Sequence, residues 1–538
     1  MDSLSRFVLI NNIKLPVNAS HKEAFSVAKA QLKRAGLISY AKEYSIYRRS
    51  VDARRKPDIY FVYSVAVSGD FPDIDAQKQQ RMGISLHTPA VMDDFVSGDQ
   101  PLSAPPLIVG SGPCGLFAGL ILAEHGYRPI ILERGGSVSE RKSVVDSFEN
   151  THILDTETNI QFGAGGAGTF SDGKLVTRVN DPLTGYVLDR FIEFGAPREI
   201  RYIAKPHIGT DILSLVVDRM LHRIEELGGQ VHYHTRYISP IYSSGRVSAV
   251  LTSRGEIQCG ALILAIGHSA RDTYERLIKD SFDIEAKAFS VGMRIEHLAE
   301  DIDFSMYGTR TPDPMLGHAE YALSHDTKNR GTYTFCMCPG GVVVAATSEE
   351  NSVVVNGMSY NSRSELNSNS AILTTVFRED YGGTPLGAIE FQRKIERAAY
   401  KSGGGGYSAP IITVGDFMSG ACKTEPKCIL PSYMSGNNVK IARPEEYLPD
   451  FVCRGIKNAL IDFDRKISGF ASPDAVLTGA ETRSSAPLRI MRSNDTRLAT
   501  GTSNIYPAGE GAGYAGGITS AAIDGLRTAI AVIEKFSI

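Results

Sequence analysis

The sequence predicts an α/β protein whose principal βαβ unit is split around an inserted region and preceded by a small α+β unit. Three observations predict it. Residues 107–133 read as apolar strand, glycine-rich turn, apolar helix and second apolar strand. Residues 504–525 repeat the order strand, glycine-rich turn, helix at the far end of the chain. Between them lies a long stretch of short strands and Gly/Ser-rich loops, such as GGGGY at 403–407 and SGNN at 435–438.

The chain has 538 residues, 42% hydrophobic and 22% charged, which is globular composition with enough length for two or three domains. No unbroken apolar run of about 18 residues is present, so no membrane span is expected. The opening MDSLSRFVLINNIKLPV lacks a small-residue cleavage site and reads as a strand, not a signal peptide. Seven cysteines in so long a chain do not make a disulfide scaffold, and the odd count fits reduced thiols and a cytoplasmic location. The net charge of −3 conceals an asymmetry: residues 1–60 carry 12 Lys/Arg against 5 Asp/Glu.

Residues 1–95 are expected to form the small basic α+β domain. Phe7 to Val17 suits a strand, His21 to Leu37 a helix ending at Gly36, and strands follow around Ile46 and from Ile59 to Val67. Pro101, Pro105 and Pro106 mark the boundary to the next unit. The cluster Arg48, Arg49, Arg54, Arg55 and Lys56 is read first as a solvated face, with RNA or a protein partner as the alternative.

Gly110-x-Gly112-x-x-Gly115, with Pro113 and Cys114 inside the turn, follows the strand Leu107–Val109 and opens the helix Leu116–His125. Gly110 permits the tight turn, Gly112 lets backbone approach a pyrophosphate, and Gly115 lets helix and strand pack closely. The helix start offers free N–H groups and a positive dipole end to phosphate. Glu133, 18 residues after Gly115, closes the second strand where a ribose would need an acceptor, with Arg134 beside it. A second formal match, Gly163-x-Gly165-x-x-Gly168, is rejected: NIQFGA before it is no apolar strand, and TFSDGK after it is no helix.

Two further segments bear on which dinucleotide binds. GALILAIGHSAR at 260–271 is an apolar strand ending in Ala265-Ile266-Gly267, after a β-meander expected around Val231–His234, Arg246–Thr252 and Glu256–Cys259. NIYPAGEGAGYAGGITSAAIDG at 504–525 is a strand ending in Ala508-Gly509-Glu510, then a Gly-rich turn that starts a helix, with Gly516, Gly517 and Ile518 as expected cofactor contacts. Together these resemble the glutathione-reductase-like FAD superfamily. The resemblance implies a Rossmann-like FAD-binding domain of the two-dinucleotide-binding type, with Tyr237 in HYHTRYISPI making backbone contacts beside the adenine. A helix start facing the flavin would stabilise negative charge on the reduced form. The segments FGAGGAGTFSDGKL, KPHIGTD, AIGHSARD, FCMCPGGVVVAATSE, NGMSY and GEGAGYAGGITSAAIDG, spread over nearly the whole chain, resemble a large family of uncharacterised FAD-dependent dehydrogenases. That resemblance implies FAD and redox chemistry and supplies no substrate.

The loop 162–175 carries Gly165, Gly166, Gly168, Thr169, Ser171, Asp172 and Lys174. By the resemblance it runs along the pyrophosphate and the isoalloxazine, with Lys174 either near flavin N1–C2=O or serving only as part of a clamp. His207 and His268 are candidate acid–base groups, weighed against structural histidines. Arg483, Arg489 and Arg492 could hold a substrate carboxylate, weighed against structural arginines. Cys336 and Cys338 sit two apart on an expected strand and so share a face. They are read as walls of a pocket, with a redox pair or a metal site as alternatives. Cys422 and Cys428 complete no short CxxC pair, so no metal is expected. A CxxxxC pair after Gly115 is absent, which excludes the flavin–disulfide arrangement on the first helix.

The expected organisation is a small α+β domain at 1–95, the first part of the FAD-binding domain at 104–290, an inserted α+β substrate or cap domain at 291–480, and the closing part of the FAD-binding domain at 481–538. The expected function is FAD-dependent oxidoreduction of a small organic molecule by hydride transfer at flavin N5. No second Rossmann fingerprint is visible, so NAD(P)H is expected only as a transient donor. The alternative is an RNA- or protein-binding module that carries FAD.

Overall fold

The computed structural model describes residues 6–88, 95–177, 181–327 and 330–538. Its N-terminal unit is a four-stranded antiparallel sheet in the order Ala41–Arg55, Asp58–Gly69, Phe7–Pro16, Ile84–His87. The helix His21–Arg34 packs on it because Ala24, Ala28 and Leu32, spaced four apart, bury one stripe against Val8, Ile10, Tyr63 and Val65. A second helix, Ala76–Met82, and the fourth strand complete a ferredoxin-like βαββαβ order. The sequence reading did not resolve these last two elements. Their signals were short: Asp75, whose carboxylate accepts from Lys78 N–H at 2.8 Å, and Gly83 at φ 64, which ends the helix.

The central sheet is parallel, with five strands in the order Ile505–Pro507, Leu262–Leu264, Leu107–Val109, Ile130–Leu132, Gln230–His232. The four inner-sequence strands from Leu107 to Pro507 are apolar and buried because helices cover both faces. Of residues 231–234, expected in the meander, Val231 and His232 instead belong to this sheet's edge strand and the next two form a turn. The meander itself is Tyr237–Ser243, Arg246–Thr252 and Gly255–Gln258. Three apolar residues bounded by turns do not reveal which sheet they join.

The helix Pro113–Glu124 is buried from Cys114 to Ala123, so it has no polar face. It lies against Ile518–Lys535, and Gly525 makes the contact possible: a Cβ there would stand 2.0 Å from Cys114 O. In this way the last helix of the chain is seated on the first helix of the dinucleotide unit.

The inserted region forms a mixed seven-stranded sheet, ordered Ser324–Asp326, Gly331–Cys338, Asn367–Val376, Phe289–Leu298, Val476–Glu481, Ala409–Thr413, Val439–Ile441. Helices Pro385–Ser402 and Asp450–Lys466 pack in its core. The strands Phe289–Leu298 and Val476–Glu481 pair antiparallel, so the chain enters and leaves this sheet side by side. No helix among the described residues is long and apolar enough to cross a membrane.

Candidate functional site

The fingerprint turn opens on a cavity of about 520 Å³. Gly110 has φ +100, and a Cβ there would stand 2.4 Å from Ala265 O. A Cβ on Gly115 would stand 1.9 Å from Gly110 O, so this glycine serves packing and does not line the cavity. Gly112 differs. Its φ of −64 suits any residue, and a Cβ would meet nothing nearer than Gly166 Cα at 3.8 Å. Gly112 and Gly517 are the N-caps of the helices Pro113–Glu124 and Ile518–Lys535, and neither has a side-chain cap. Both helix starts line the same cavity, so their free N–H groups and positive dipole ends converge on it.

Glu133 is buried, and its carboxylate accepts four hydrogen bonds. Ser111 N–H (3.1 Å) and Ser111 O–H (2.5 Å) donate to Oε2, and Gly135 N–H (3.0 Å) and Gly163 N–H (2.9 Å) to Oε1. It lines the cavity, but its first role here is to tie the fingerprint turn to the second glycine loop. Arg134 pairs with Glu157 (2.9 Å) and Asp272 (3.0 Å) and lies 4.1 Å over the Phe162 ring, which makes it a braced wall. Tyr237, with Thr235 and Arg236, closes this end.

Pro113, Cys114, Gly166, Gly168, Ser171, Lys174, Ala265, Gly267, Glu510, Gly516, Gly517 and Ile518 also line the cavity, as do His268 and Arg483. Four expected contacts do not. Gly165 is packed against Val217 and Thr169 Oγ1, and Thr169 is buried on that side. Gly509 faces Cys114 and donates its N–H to Asp524. His207 sits behind the wall, its Nε2 3.3 Å from Asn361 O, and burial lowers its pKa. The loop Gly163–Phe170 is turn and 3₁₀ helix, which agrees with its rejection as a second fingerprint.

The arginines proposed for a substrate carboxylate are engaged within the chain. Arg483 is buried and pairs with Glu396 (3.1 Å), which also holds Arg271 (2.7 Å). Arg492 pairs with Asp524 (2.8 Å) and lies 3.8 Å over the Tyr514 ring. Arg489 lies 5.1 Å over that same ring. In the basic N-terminal cluster, Arg49 N–H donates to Tyr202 O at 2.7 Å and its guanidinium covers the Phe61 ring at 4.6 Å. Arg54 pairs with Asp52, and Lys56 donates to Ser305 O. Arg48 and Arg55 remain exposed.

The far end of the cavity collects charge from the dinucleotide-binding unit and the inserted region. Lys174 Nζ is 2.5 Å from the fully buried Asp172 and donates to Met337 O. Burial acts to lower the Lys174 pKa, but the charges of Asp172 and Glu320 outweigh it and raise it. Arg363 brackets the same Asp172 (2.5 Å) and reaches Glu320 (2.7 Å). From the inserted sheet come Cys336 and Glu481. Burial pushes the Glu481 carboxyl up to about 7 against the opposing charge of Arg294, and burial does the same to Glu510, opposed by Lys287. His268 is pushed down to about 4 by burial and by Arg483 and Arg271, so it is neutral at pH 7. Glu320, Arg363, Glu481 and Arg294 escaped the sequence reading. The usable signal was a charge inside an apolar strand, as in FSVGMRIEHL and VLTGAE. Among the described residues no group of His, Cys, Asp and Glu is arranged to hold a metal ion.

This donor set fits FAD. Two uncapped helix starts face one cavity, a glycine without strain leaves room for phosphate, and the remainder of the cavity continues to a charged wall. Comparison with known proteins agrees. Residues 103–147 match an FAD binding domain, residues 288–484 match the model described as FAD-dependent protein, C-terminal domain-like, and residues 8–68 match a domain of unknown function. An uncharacterized protein of Clostridium beijerinckii is 43% identical over 541 residues, covering 99% of each chain. Among solved structures, glycine oxidase from Geobacillus kaustophilus aligns at TM-score 0.34 and 12% identity, over 80% of this chain and 95% of that one. L-amino acid deaminase from Proteus vulgaris aligns at TM-score 0.33 and 11% identity, over 83% of this chain and 97% of that one. FAD is the cofactor of the cradle, and with its full-length Clostridium relative the chain belongs to a family of FAD-dependent proteins.

Proposed function

We propose that the protein is an FAD-dependent oxidoreductase acting on a small organic substrate by hydride exchange at flavin N5, with NADH or NADPH as a transient donor. One observation carries the reading: the cavity that begins at the phosphate-binding glycines ends at Lys174, Cys336, Glu481 and Glu510, which come from separate parts of the chain. A site that only stored the cofactor would not need ionisable groups gathered at its far end.

Bound FAD would supply two-electron redox chemistry at that end. The chain's own residues have separable tasks there. The start of the helix Ile518–Lys535 and the ammonium of Lys174 favour negative charge nearby. Glu481 and Glu510, both near 7, can each hold or release a proton at neutral pH. Neutral His268 can donate or accept one hydrogen bond without adding charge. Residues of the inserted sheet, Thr334, Phe335, Cys336 and Met337 among them, form one wall of the cavity.

The test is anaerobic mixing of the FAD-loaded protein with NADH or NADPH, followed by a panel of small acceptors. The expected result is loss of oxidised-flavin absorbance and its return with an acceptor. A flavin that neither pyridine nucleotide reduces while dithionite does, or that no panel acceptor reoxidises, would overturn the reading.

A further inference from the structure

The strand Gly331–Cys338 pairs regularly with Asn367–Val376 through Phe335, and then its register breaks before Cys338. At the break Cys336 has φ +43, a left-handed conformation uncommon for a residue with a side chain. Such a bulge re-aims a side chain. The consequence is an asymmetric pair instead of two thiols sharing one face. Cys336 lines the cavity, and Cys338 is fully buried behind it. The Cys338 thiol donates to Cys336 O, with Sγ 3.4 Å from that oxygen.

Two cations hold the bulge. Arg294 donates to Cys336 O and its Nη2 lies 3.6 Å from Cys338 Sγ. Lys174 donates to Met337 O. Arg294 reaches this position because residue 357 is glycine: a Cβ there would stand 2.2 Å from Arg294 Nη2. Glu481 holds Arg294 at 3.0 and 2.7 Å, Asn369 accepts from it at 2.6 Å, and Asp172 stands behind Lys174. The hydrogen bond from Cys338, with the charges of Arg294 and Lys174, outweighs burial and brings the Cys336 thiol down to about 6, whereas Cys338 is raised. Gly340 and Gly341 answer to packing instead of a ligand: their Cβ atoms would meet Arg363 O and Met358 O.

We propose that Cys336 and Cys338 are a dithiol–disulfide pair that exchanges with a low-molecular-weight disulfide entering the cavity. The Cys336 thiolate attacks one sulfur of the incoming disulfide. That S–S bond breaks, a Cys336 mixed disulfide forms, and one half departs as a thiolate that takes the Cys338 proton. Cys338 sulfur then attacks Cys336 Sγ, forming the Cys336–Cys338 bond and expelling the second half, which is protonated by water. Two electrons pass from the pair to the incoming disulfide, which becomes two thiols. The geometry supports each part: an attacking thiol that lines the cavity, a resolving thiol two residues on that donates to the first cysteine's carbonyl, and fixed cations beside the pair. This activity does not depend on the flavin reaction proposed above.

The experiment uses the full-length FAD-loaded protein with Cys422 and Cys428, the more exposed thiols, changed to serine. It is treated with bis(2-hydroxyethyl) disulfide, and the peptide holding residues 336–338 is weighed after alkylation. The expected product is a peptide lighter by two hydrogens. In Cys338→Ser the probe half should accumulate on Cys336, and in Cys336→Ser neither product should form. Iodoacetamide labelling of Cys336 should reach half its plateau near pH 6, and Cys338→Ser should move that midpoint upward, toward the ordinary thiol value of about 8.5. Folded, FAD-bound protein that shows neither the lighter peptide nor the adduct would overturn the proposal. So would an adduct that persists on Cys336 while Cys338 is present. The readout is sulfur mass, so failure of the flavin assay leaves it intact and its failure leaves the flavin reading intact.

Discussion

Changing Gly112 to alanine should separate cofactor binding from folding. At φ −64 and ψ 178 alanine is unstrained, and its Cβ would meet no atom nearer than 3.8 Å. Alanine is a poorer N-cap than glycine, by about 1 kcal/mol. Reduced freedom of the unfolded chain offsets this by roughly 0.4–1 kcal/mol. The apoprotein should therefore keep its stability to within about 1 kcal/mol. The new methyl, however, projects into the cavity at an uncapped helix start, where a pyrophosphate must approach the backbone. Overpacking there costs roughly 1–3 kcal/mol, which weakens FAD by about 5- to 150-fold. Gly115→Ala is the contrast, because its Cβ would stand 1.9 Å from Gly110 O and neither backbone can yield. That variant should lose the apo fold itself. The assays are urea unfolding of the apoprotein and FAD titration followed by quenching of flavin fluorescence. Unchanged FAD affinity in a fully folded Gly112→Ala protein would refute the placement of the phosphates. Lost apo stability would refute the reading of this backbone as unstrained.

Glu133→Ala should weaken FAD binding and also the apo fold, because it orphans the buried N–H groups of Ser111, Gly135 and Gly163; at about 1–3 kcal/mol for each unsatisfied group, urea unfolding should report a loss on the order of 3 kcal/mol or more. Deleting residues 1–94 should leave a folded protein that binds FAD stoichiometrically by absorbance, since none of the described residues of that segment lines the cavity; Phe95 is kept because it packs on His125 at 4.6 Å. His297 is buried, with Nε2 2.7 Å from Phe470 O, and burial pushes it down to about 4. Its folded pKa lies below the unfolded value, so the unfolded chain takes up the proton first and stability falls as pH drops from about 6.5 toward 4. Between pH 7 and 5 the wild type should lose about 2 kcal/mol more than His297→Gln in denaturant unfolding; equal losses would show that His297 is not kept neutral by the fold.

The cradle was legible because its constraints are local. Gly110, Gly112 and Gly115 act within one turn, and the apolar strands at 107–109, 130–132, 262–264 and 505–507 announce burial on both faces. What the sequence did not show depends on distant partners. Arg483 reads like a free cation until the helix Pro385–Ser402 brings Glu396 against it from 87 residues away. Lys174 reads as a lone ammonium until Asp172 and the Met337 carbonyl are placed beside it. The Cys336–Cys338 spacing predicts a shared face, and only the register break with Asn367–Val376 reveals that one thiol is turned to the cavity and one away. Side-chain pairing across a tertiary interface leaves no periodic trace, whereas backbone demands do.

The seating of the last helix against Cys114, through Gly525, has a consequence for the order of events during synthesis. The N-terminal βαββαβ unit closes on its own contacts and can collapse early, as domains emerging first from the ribosome do. The FAD cradle cannot. Its outer strand, Ile505–Pro507, and its second helix start at Ile518 follow the inserted region in sequence, so they are translated long after the fingerprint turn. Until then the apolar helix Pro113–Glu124 and the strand Leu262–Leu264 stand with one flank bare. Cofactor capture thus waits for residues 505–535, and chains cut shortly before Ile505 should be aggregation-prone and colourless.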